Sequence, residues 1–496
     1  MSTAAHPDLD LTLLVPDLTV VRTVDRRTWA ATAAMAAGTD LAVRRGPGLS
    51  AAVFILMVTA ALVASGRLVN PAARALALAA PVFGSCLAVY LSPPMVLLNG
   101  MAAAGLLALA ASLARDGDPL DVTLPDLVRR AVVAVAHGAA APGFLLGREH
   151  SRVARRRAGG TSPWPAIGRG VLLATPVVLV VGVLLGTADP VFASLFRVED
   201  AGDLVLHVAL LGIGAWAGGG LLRMASSVAP GPLPQTARRL GFVEAMTVVG
   251  SLVALYAAFA VAQLVAVAGG ARTVLDTAGL TYAEYARSGF FQLLAVATLT
   301  LAVLLAVRAV VDVSTAARRR TFLVLSEAAV ALTVAIVVVA LRRLHLYEQA
   351  YGLTVARLFA SVFALWVGGV FVLLALSLAG VHRRRRWLVP AAVALGLLGV
   401  VALDVVNPER VVVVRNMDHY ARTGKLDVAH LAGLSDDAVP ALTAALPRLD
   451  PVTRAALAQQ LCGDRAPPRR DWLARSRSDD LAERARSAAC GGRARP

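Results

Sequence analysis

Charged residues are scarce in this sequence, and lysine is almost missing. Only 16% of the 496 residues are charged, and Lys425 is the single lysine. Soluble domains carry about 25% charged residues, so this composition does not fit an ordinary water-soluble protein. Cysteine is also rare, with three in the chain. Cys86 stands in an apolar block and is interpreted as a small buried residue, which leaves two cysteines near the C-terminus.

The sequence lacks the short motifs that carry well-known chemistry. It has no Walker A loop, HExxH motif, CxxC pair, GxSxG elbow or kinase signature. His345 and Glu348 are three residues apart but lack the second pair that a metal site needs. We therefore expect no metal and no cofactor. The sequence leans away from an enzyme without excluding one.

What the chain has in abundance is long apolar blocks. Hydrophobic residues make up 57% of it, and its mean hydropathy is +0.69. Blocks of about 17–25 residues match the thickness of a hydrocarbon layer. They predict an all-α polytopic transmembrane bundle of about eleven spans, or ten if the Asp40-containing first block does not span. The expected spans are 28–43, 48–65, 74–91, 95–114, 166–186, 204–222, 242–268, 289–311, 322–341, 358–380 and 388–405.

The arrangement of these blocks predicts the domain organisation. The expected parts are a cytoplasmic segment 1–27, four spans within 28–114, a basic cytoplasmic loop 115–165, a seven-span region 166–405 and a small soluble helical tail 406–496. Two interpretations of the basic loop remain open. Residues 127–146 form either an interfacial amphipathic helix or part of a poorly ordered linker.

Arginine accounts for the net charge of +16 and predicts the orientation. With the N-terminus in the cytoplasm, most arginine-rich loops, such as Arg318–Arg320 and Arg383–Arg386, lie on the cytoplasmic side. An odd number of spans then places the tail outside the cell membrane. Because the arginines lie in short loops between apolar blocks, we expect membrane lipids as partners and no nucleic acid.

The tail shows signals for helices and for a disulfide. Ser435 and Asp450-Pro451 are typical of helix starts, before helices at Ala438–Leu446 and Val452–Leu461. Cys462 and Cys490 are both in the tail, and on the outer side they would form a disulfide. Two free thiols on a cytoplasmic tail are the alternative.

Three polar clusters lie at ends of spans that the orientation places on the outer side. They comprise residues 281–291, 345–354 and 415–427. The candidate ligand-binding residues are Tyr282, Glu284, Tyr285, Arg287, His345, Tyr347, Glu348, Tyr351, Asn416, Tyr420 and Asp427. A structural interpretation stands beside a shared site, because interfacial tyrosines and local ion pairs also give such clusters.

Ionisable residues within the spans are few. Glu244, Arg308 and Glu327 lie within about two turns of a cytoplasmic end and can reach the interface. His207 and Asp40 lie near outer ends instead. Because no charge stands at the centre of a span, the sequence shows no evident ion or proton pathway. The glycine-rich stretch Gly212–Gly220 predicts close helix packing.

The runs YAEYARSGFF, YEQAYGLTVARLF and NPERVVVVRNMDHYARTGKLDVAHLAGLSDDAVPAL resemble a bacterial membrane family, domain of unknown function DUF4173. The resemblance covers about residues 170–445, with a looser match to the first spans. It implies a multi-span protein of the bacterial cell membrane. It implies no activity and no catalytic residues.

Three classes of function remain. The first is a membrane scaffold or sensory protein that binds another membrane or envelope protein. The second is a transporter or channel for a small solute, which should show polar residues and broken helices at mid-membrane. The third is an outer-face enzyme acting on envelope or lipid-linked substrates, with Glu284, His345 or Glu348 as acid–base candidates.

Overall fold

The computed structural model describes most of the chain and is almost entirely helical where it does so. The described residues are 19–146, 181, 201–228, 241–268, 289–311, 313–381, 386–463 and 471–491. An isolated antiparallel bridge pairs Val20 with Ser227. The predicted all-α class is confirmed.

We number the described α-helices in chain order. The first six are α1 (Arg26–Arg45), α2 (Leu49–Ala64), α3 (Pro71–Cys86), α4 (Pro93–Ser112), α5 (Leu124–Leu145) and α6 (Ala201–Ala225). The next five are α7 (Phe242–Ala268), α8 (Phe290–Val310), α9 (Ala316–Tyr351), α10 (Val355–Leu378) and α11 (Leu388–Val406). The last five are α12 (Pro408–Thr423), α13 (Val428–Ala432), α14 (Val439–Ala445), α15 (Pro451–Cys462) and α16 (Arg477–Cys490).

Among the described residues, seven helices are long and apolar enough to cross a membrane by length and composition, namely α4 and α6 to α11. Each coincides with a predicted span. The first three predicted spans are also helices, and α2 is a shorter apolar one. The predicted span 166–186 lies outside the described residues except for Val181. For residues 127–146 the sequence allows an interfacial helix or part of a poorly ordered linker. In the structure they fall largely within the 22-residue helix α5.

The chain divides into two units. The first comprises Met1–Pro119, Leu124–Leu233 and Pro467–Asp480, and the second comprises Leu120–Thr123, Pro234–Ala466 and Leu481–Pro496. The segment 406–496, which the sequence analysis treats as one tail, therefore contributes residues to both units. Each unit is described by itself below.

In the first unit, α1 to α4 pack in sequence and α6 packs on α1 and α5. The glycine stretch of α6 allows these close approaches. A Cβ at Gly220 would lie 2.9 Å from the Cα of Gly138 in α5, and one at Gly214 would lie 2.8 Å from the Cα of Ala36 in α1. The predicted role of these glycines in close helix packing is confirmed.

A buried arginine joins three segments at one end of the first unit. Arg67, in the loop after α2, is 1% exposed. It donates from Nε to Ser226 Oγ at 2.6 Å, and from one terminal nitrogen to Thr28 Oγ1 at 2.6 Å and the Thr23 carbonyl at 3.0 Å. Its other terminal nitrogen lies 3.8 Å from Asp25 Oδ1. Burial lowers the pKa of Arg67, and the carboxylate of Asp25 opposes this shift.

At the other end of the first unit, the chain after residue 470 packs against the helix ends. The amide of Leu49 donates to the Arg475 carbonyl at 3.0 Å, and the amide of Arg477 donates to the Ala88 carbonyl at 2.9 Å. Asp471 also forms an ion pair with Arg45. Residues 471–478 therefore lie at the end where α1 and α3 finish, which the predicted orientation assigns to the outer side.

In the second unit, α9 is the central helix and contacts α7, α8 and α10. Its buried face carries Ala329, Val330 and Val337, which pack with Phe371 and Leu374 of α10 in one apolar core. A separate core lies among the short helices that follow α11. We call residues 407–463, which contain α12 to α15, the head.

Candidate functional site

The turn between α9 and α10 adopts a conformation that favours glycine. Gly352 has a φ of +78°, and its amide closes the last turn of α9 by donating to the Glu348 carbonyl at 2.8 Å. A Cβ at this position would also collide with the side-chain oxygen of Asn416. Thr354 then begins α10, because its hydroxyl caps the amide of Arg357.

Asn416 of α12 fastens the head to this turn. Its side chain is buried, and its amide nitrogen donates to the Leu353 carbonyl at 2.7 Å and to the Val412 carbonyl at 2.8 Å. Leu353 itself packs into the apolar core of the head. The turn and the head therefore form one structure, held by both polar and apolar contacts.

Arg357 lies over the aromatic side chains at the end of α9. Its guanidinium carbon is 4.1 Å from the centre of the Tyr347 ring, a cation–π geometry. The same guanidinium donates to the Gly352 carbonyl at 2.5 Å. The ring of Tyr347 packs edge-on against that of Tyr351, with 4.9 Å between centres.

Charged groups surround the carboxylate of Glu348. His345 Nδ1 lies 3.9 Å from Glu348 Oε2, and Arg357 and Arg415 are close enough to attract the same carboxylate. The side chain of His345 is 64% exposed and that of Glu348 is 24% exposed. Below, the turn patch means His345, Tyr347, Glu348, Tyr351, Arg357 and Arg415.

Two predicted site residues have structural roles elsewhere in the head. The hydroxyl of Tyr420 donates to Asp450 Oδ2 at 2.6 Å, and Asp450 caps the start of α15. Hydrogen bonds from Thr453 and from Tyr420 hold the pKa of Asp450 well below its usual range. Asp427 accepts from the amide of His430 at 2.9 Å and caps α13. Neither side chain belongs to the turn patch.

Four further candidates, Tyr282, Glu284, Tyr285 and Arg287, lie outside the described residues. The described chain resumes at Gly289, directly before α8. A Cβ built on Gly289 would contact the guanidinium of Arg343 in the last third of α9. The start of α8 is therefore at the same end of the second unit as the turn patch.

The contacts that hold the start of α12 to the rest of the head were not predicted from the sequence. Glu409 is 3% exposed, and its Oε2 accepts from the amide of Ser435 at 3.0 Å and from its hydroxyl at 2.7 Å. The hydroxyl of Ser435 accepts from the amide of Asp437 at 3.3 Å, as a cap does, but a turn follows it, and α14 begins at Val439 and not directly after Ser435 as predicted. The start at Asp450-Pro451 is confirmed. The Asn407-Pro408 pair directly before Glu409 is typical of a helix start and could have placed Glu409 in the first turn of α12.

The C-terminal helix is tied to the head at two points. Cys462 of α15 and Cys490 of α16 form a disulfide, with their Cα atoms 5.8 Å apart. Arg486 of α16 also donates to Asp436 Oδ1 at 2.5 Å. The two links fasten the part of α16 that belongs to the second unit onto the head.

The turn patch combines exposed and half-buried polar groups. In the described part of the chain, no group of three or more His, Cys, Asp and Glu side chains could hold a metal ion. Asn416, Tyr420 and Asp427 use their polar atoms within the fold. In the turn patch, His345, Tyr351 and Arg415 are exposed, and Tyr347, Glu348 and Arg357 are half-buried.

Comparison with known proteins places the chain in a family. Neither the curated proteins nor the solved structures contain a match. The family number suggested by the three sequence runs is not the one found, and the match begins earlier than those runs, so that it includes the second to fourth predicted spans and the basic loop. The chain belongs to the family described as Domain of unknown function (DUF4153), whose model matches residues 48–445.

Proposed function

We propose that this protein is a multi-pass scaffold or sensory protein of the bacterial cell membrane, and that its turn patch binds a second membrane or envelope protein. One observation carries the proposal. The polar residues predicted to form a ligand site are, where described, either engaged within the head or displayed on an exposed surface beside the α9–α10 turn. A fixed, displayed surface suits a protein partner.

The composition of the turn patch supports a protein partner. Tyrosine and arginine are enriched among the residues that dominate binding energy at protein interfaces. Tyr351 is 55% exposed, and its ring is held in place by Tyr347, which lies under Arg357. Little side-chain freedom would therefore be lost when a partner covers this ring.

The disulfide supports an outer location for the head. Disulfides persist in oxidising compartments and are rare in the cytosol. The arginine distribution gives the same orientation independently. An outer head would meet proteins of the envelope or the outer parts of other membrane proteins.

Thiol labelling in intact cells tests the orientation. In a Cys86→Ser background, Lys425→Cys places an exposed thiol on the head, and Arg318→Cys places one at the opposite, arginine-rich end of α9. We expect a membrane-impermeant maleimide to label Lys425→Cys in intact cells and Arg318→Cys only after lysis. The reverse pattern would place the head in the cytoplasm and overturn this part of the proposal.

Site-directed photo-crosslinking tests the partner. A photoreactive amino acid at position 351 should give a discrete crosslinked product in cells, and one at the more exposed position 452, on α15, should not. Reversing the nearby charge with Arg415→Glu should reduce the product at 351 at least fivefold. If positions 351 and 452 give the same products, or if Arg415→Glu has no effect, the turn patch is not a specific interface.

A further inference from the structure

A pocket of about 400 Å³ lies between α9 and α10 in the second unit. It is near the start of α9 and the end of α10, far along both helices from the turn patch. The lining residues are Leu323, Glu327, Ala375, Leu376, Leu378 and Ala379. Five of these six are apolar, so the carboxylate of Glu327 is the one charged group among the described lining residues.

Glu327 lies within an apolar part of the candidate span. It follows Arg320 by seven residues, which is about 10 Å along a helix axis. Residues 322–341 are otherwise apolar apart from small hydroxyl side chains. This carboxylate is near enough to the cytoplasmic end to reach the interface, but in this structure it lines the apolar pocket, so a ligand there would meet a negative charge.

Among the described residues, no hydrogen bond or ion pair is formed by the carboxylate of Glu327. A cation is close to the same part of α10, but it has another partner. Arg308 of α8 donates to Ser377 Oγ at 3.0 Å and forms no ion pair with Glu327. The pocket therefore presents a negative charge whose countercharge the described fold does not supply.

We propose that this pocket binds a lipophilic monovalent cation, that is, an apolar molecule carrying a single positive charge. The leucine and alanine walls match the apolar body, and the carboxylate of Glu327 matches the charge. The pocket volume is at the small end of the range for ligand sites. A neutral acyl chain would cover the walls but would leave the carboxylate without a partner in an apolar setting, which is unfavourable.

The probe is radiolabelled tetraphenylphosphonium, measured on the full-length protein in lipid nanodiscs after subtraction of binding to empty nanodiscs. Glu327→Gln removes the charge and keeps the side-chain size. Leu376→Trp places a ring at the pocket wall, where Leu376 is 42% exposed. We expect each substitution to weaken binding at least tenfold.

Two matched controls separate the pocket from general effects of charge and bulk. Glu244→Gln removes a carboxylate in the first turn of α7, another candidate span, and Leu365→Trp adds a ring on an exposed part of α10. Both variants should bind tetraphenylphosphonium as tightly as the unmodified protein does. The proposal fails if the unmodified protein does not bind tetraphenylphosphonium. It also fails if Glu327→Gln or Leu376→Trp binds this probe as tightly as the unmodified protein.

Discussion

His207 and Asp40 form a direct hydrogen bond, with 2.8 Å between His207 Nδ1 and Asp40 Oδ1. The pair joins the first turns of α6 to the last turns of α1. Arg44 contacts the same histidine and also donates to Asp203 Oδ2 at 2.7 Å. The two ionisable residues near outer span ends thus meet in a four-residue network between two helices.

The first prediction concerns this pair. Asp40→Ala and His207→Ala should each lower the thermal unfolding temperature of the purified protein, and the double variant should lose less than the sum. Because both side chains are partly exposed, we expect a coupling energy of about 1 kcal/mol. Thermal unfolding of all four proteins, followed by fluorescence, measures this coupling. Strictly additive losses would show that the contact contributes nothing of its own.

The second prediction concerns Arg67. Arg67→Met removes the donors that serve Ser226, Thr28 and the Thr23 carbonyl, and it leaves these buried groups without that partner. Breaking a buried charged network costs about 3–5 kcal/mol, so the variant should unfold well below the unmodified protein or fail to accumulate. Arg26→Met, at an exposed arginine at the start of α1, is the control and should change little. Equal effects of the two substitutions would contradict the structural role of Arg67.

The third prediction concerns Asn416. Asn416→Ala removes the hydrogen bond to the Leu353 carbonyl and leaves that acceptor without this donor. We expect a loss of about 1–3 kcal/mol, measured as a lower thermal unfolding temperature. Gln349→Ala, at an exposed position on α9, should have a much smaller effect. Proteolysis of the head should also become faster in Asn416→Ala alone, since this bond holds the head on the turn.

The fourth prediction concerns the disulfide. Cys462→Ser, or mild reduction of the unmodified protein, should destabilise the closed head by about 2–4 kcal/mol, because the unfolded chain gains freedom. Reductant should have no further effect on the unfolding temperature of Cys462→Ser. If reductant lowers the unfolding temperature of both proteins equally, the change does not come from the Cys462–Cys490 bond.

The fifth prediction is a pH dependence that comes from Asp450. Its folded pKa lies below its ordinary value of 3.8. Its carboxylate therefore stabilises the head above about pH 4, and this contribution is lost as the pH falls through the folded pKa. Asp450→Asn keeps a capping side chain but cannot ionise. The unmodified protein should unfold at a higher temperature than Asp450→Asn at pH 6, and this difference should shrink below pH 4. A constant difference would exclude the carboxylate as its source.

Much of the fold could be predicted from the sequence because its signals are local. Long apolar runs predict helices wherever they occur, since backbone polar groups in lipid must be satisfied within the segment. Caps such as Asp450 and breaks such as Pro93 act within one turn. The hydroxyl of Ser435 accepts from the nearby Asp437 amide, as a local signal predicts, and it also donates to Glu409, a partner 26 residues away that no local signal predicts.

The sequence by itself determined that this chain is a helical bundle with apolar spans, and it determined where most helices begin and end, because both follow from residues close together in the chain. Only the tertiary structure decided that residues 471–480 return to the first unit, that Asn416 serves the α9–α10 turn, and that Glu327 lines an apolar pocket without a partner among the described residues. These relationships join residues far apart in sequence. Their partners are selected by the packing of helices, which no local pattern of residues records.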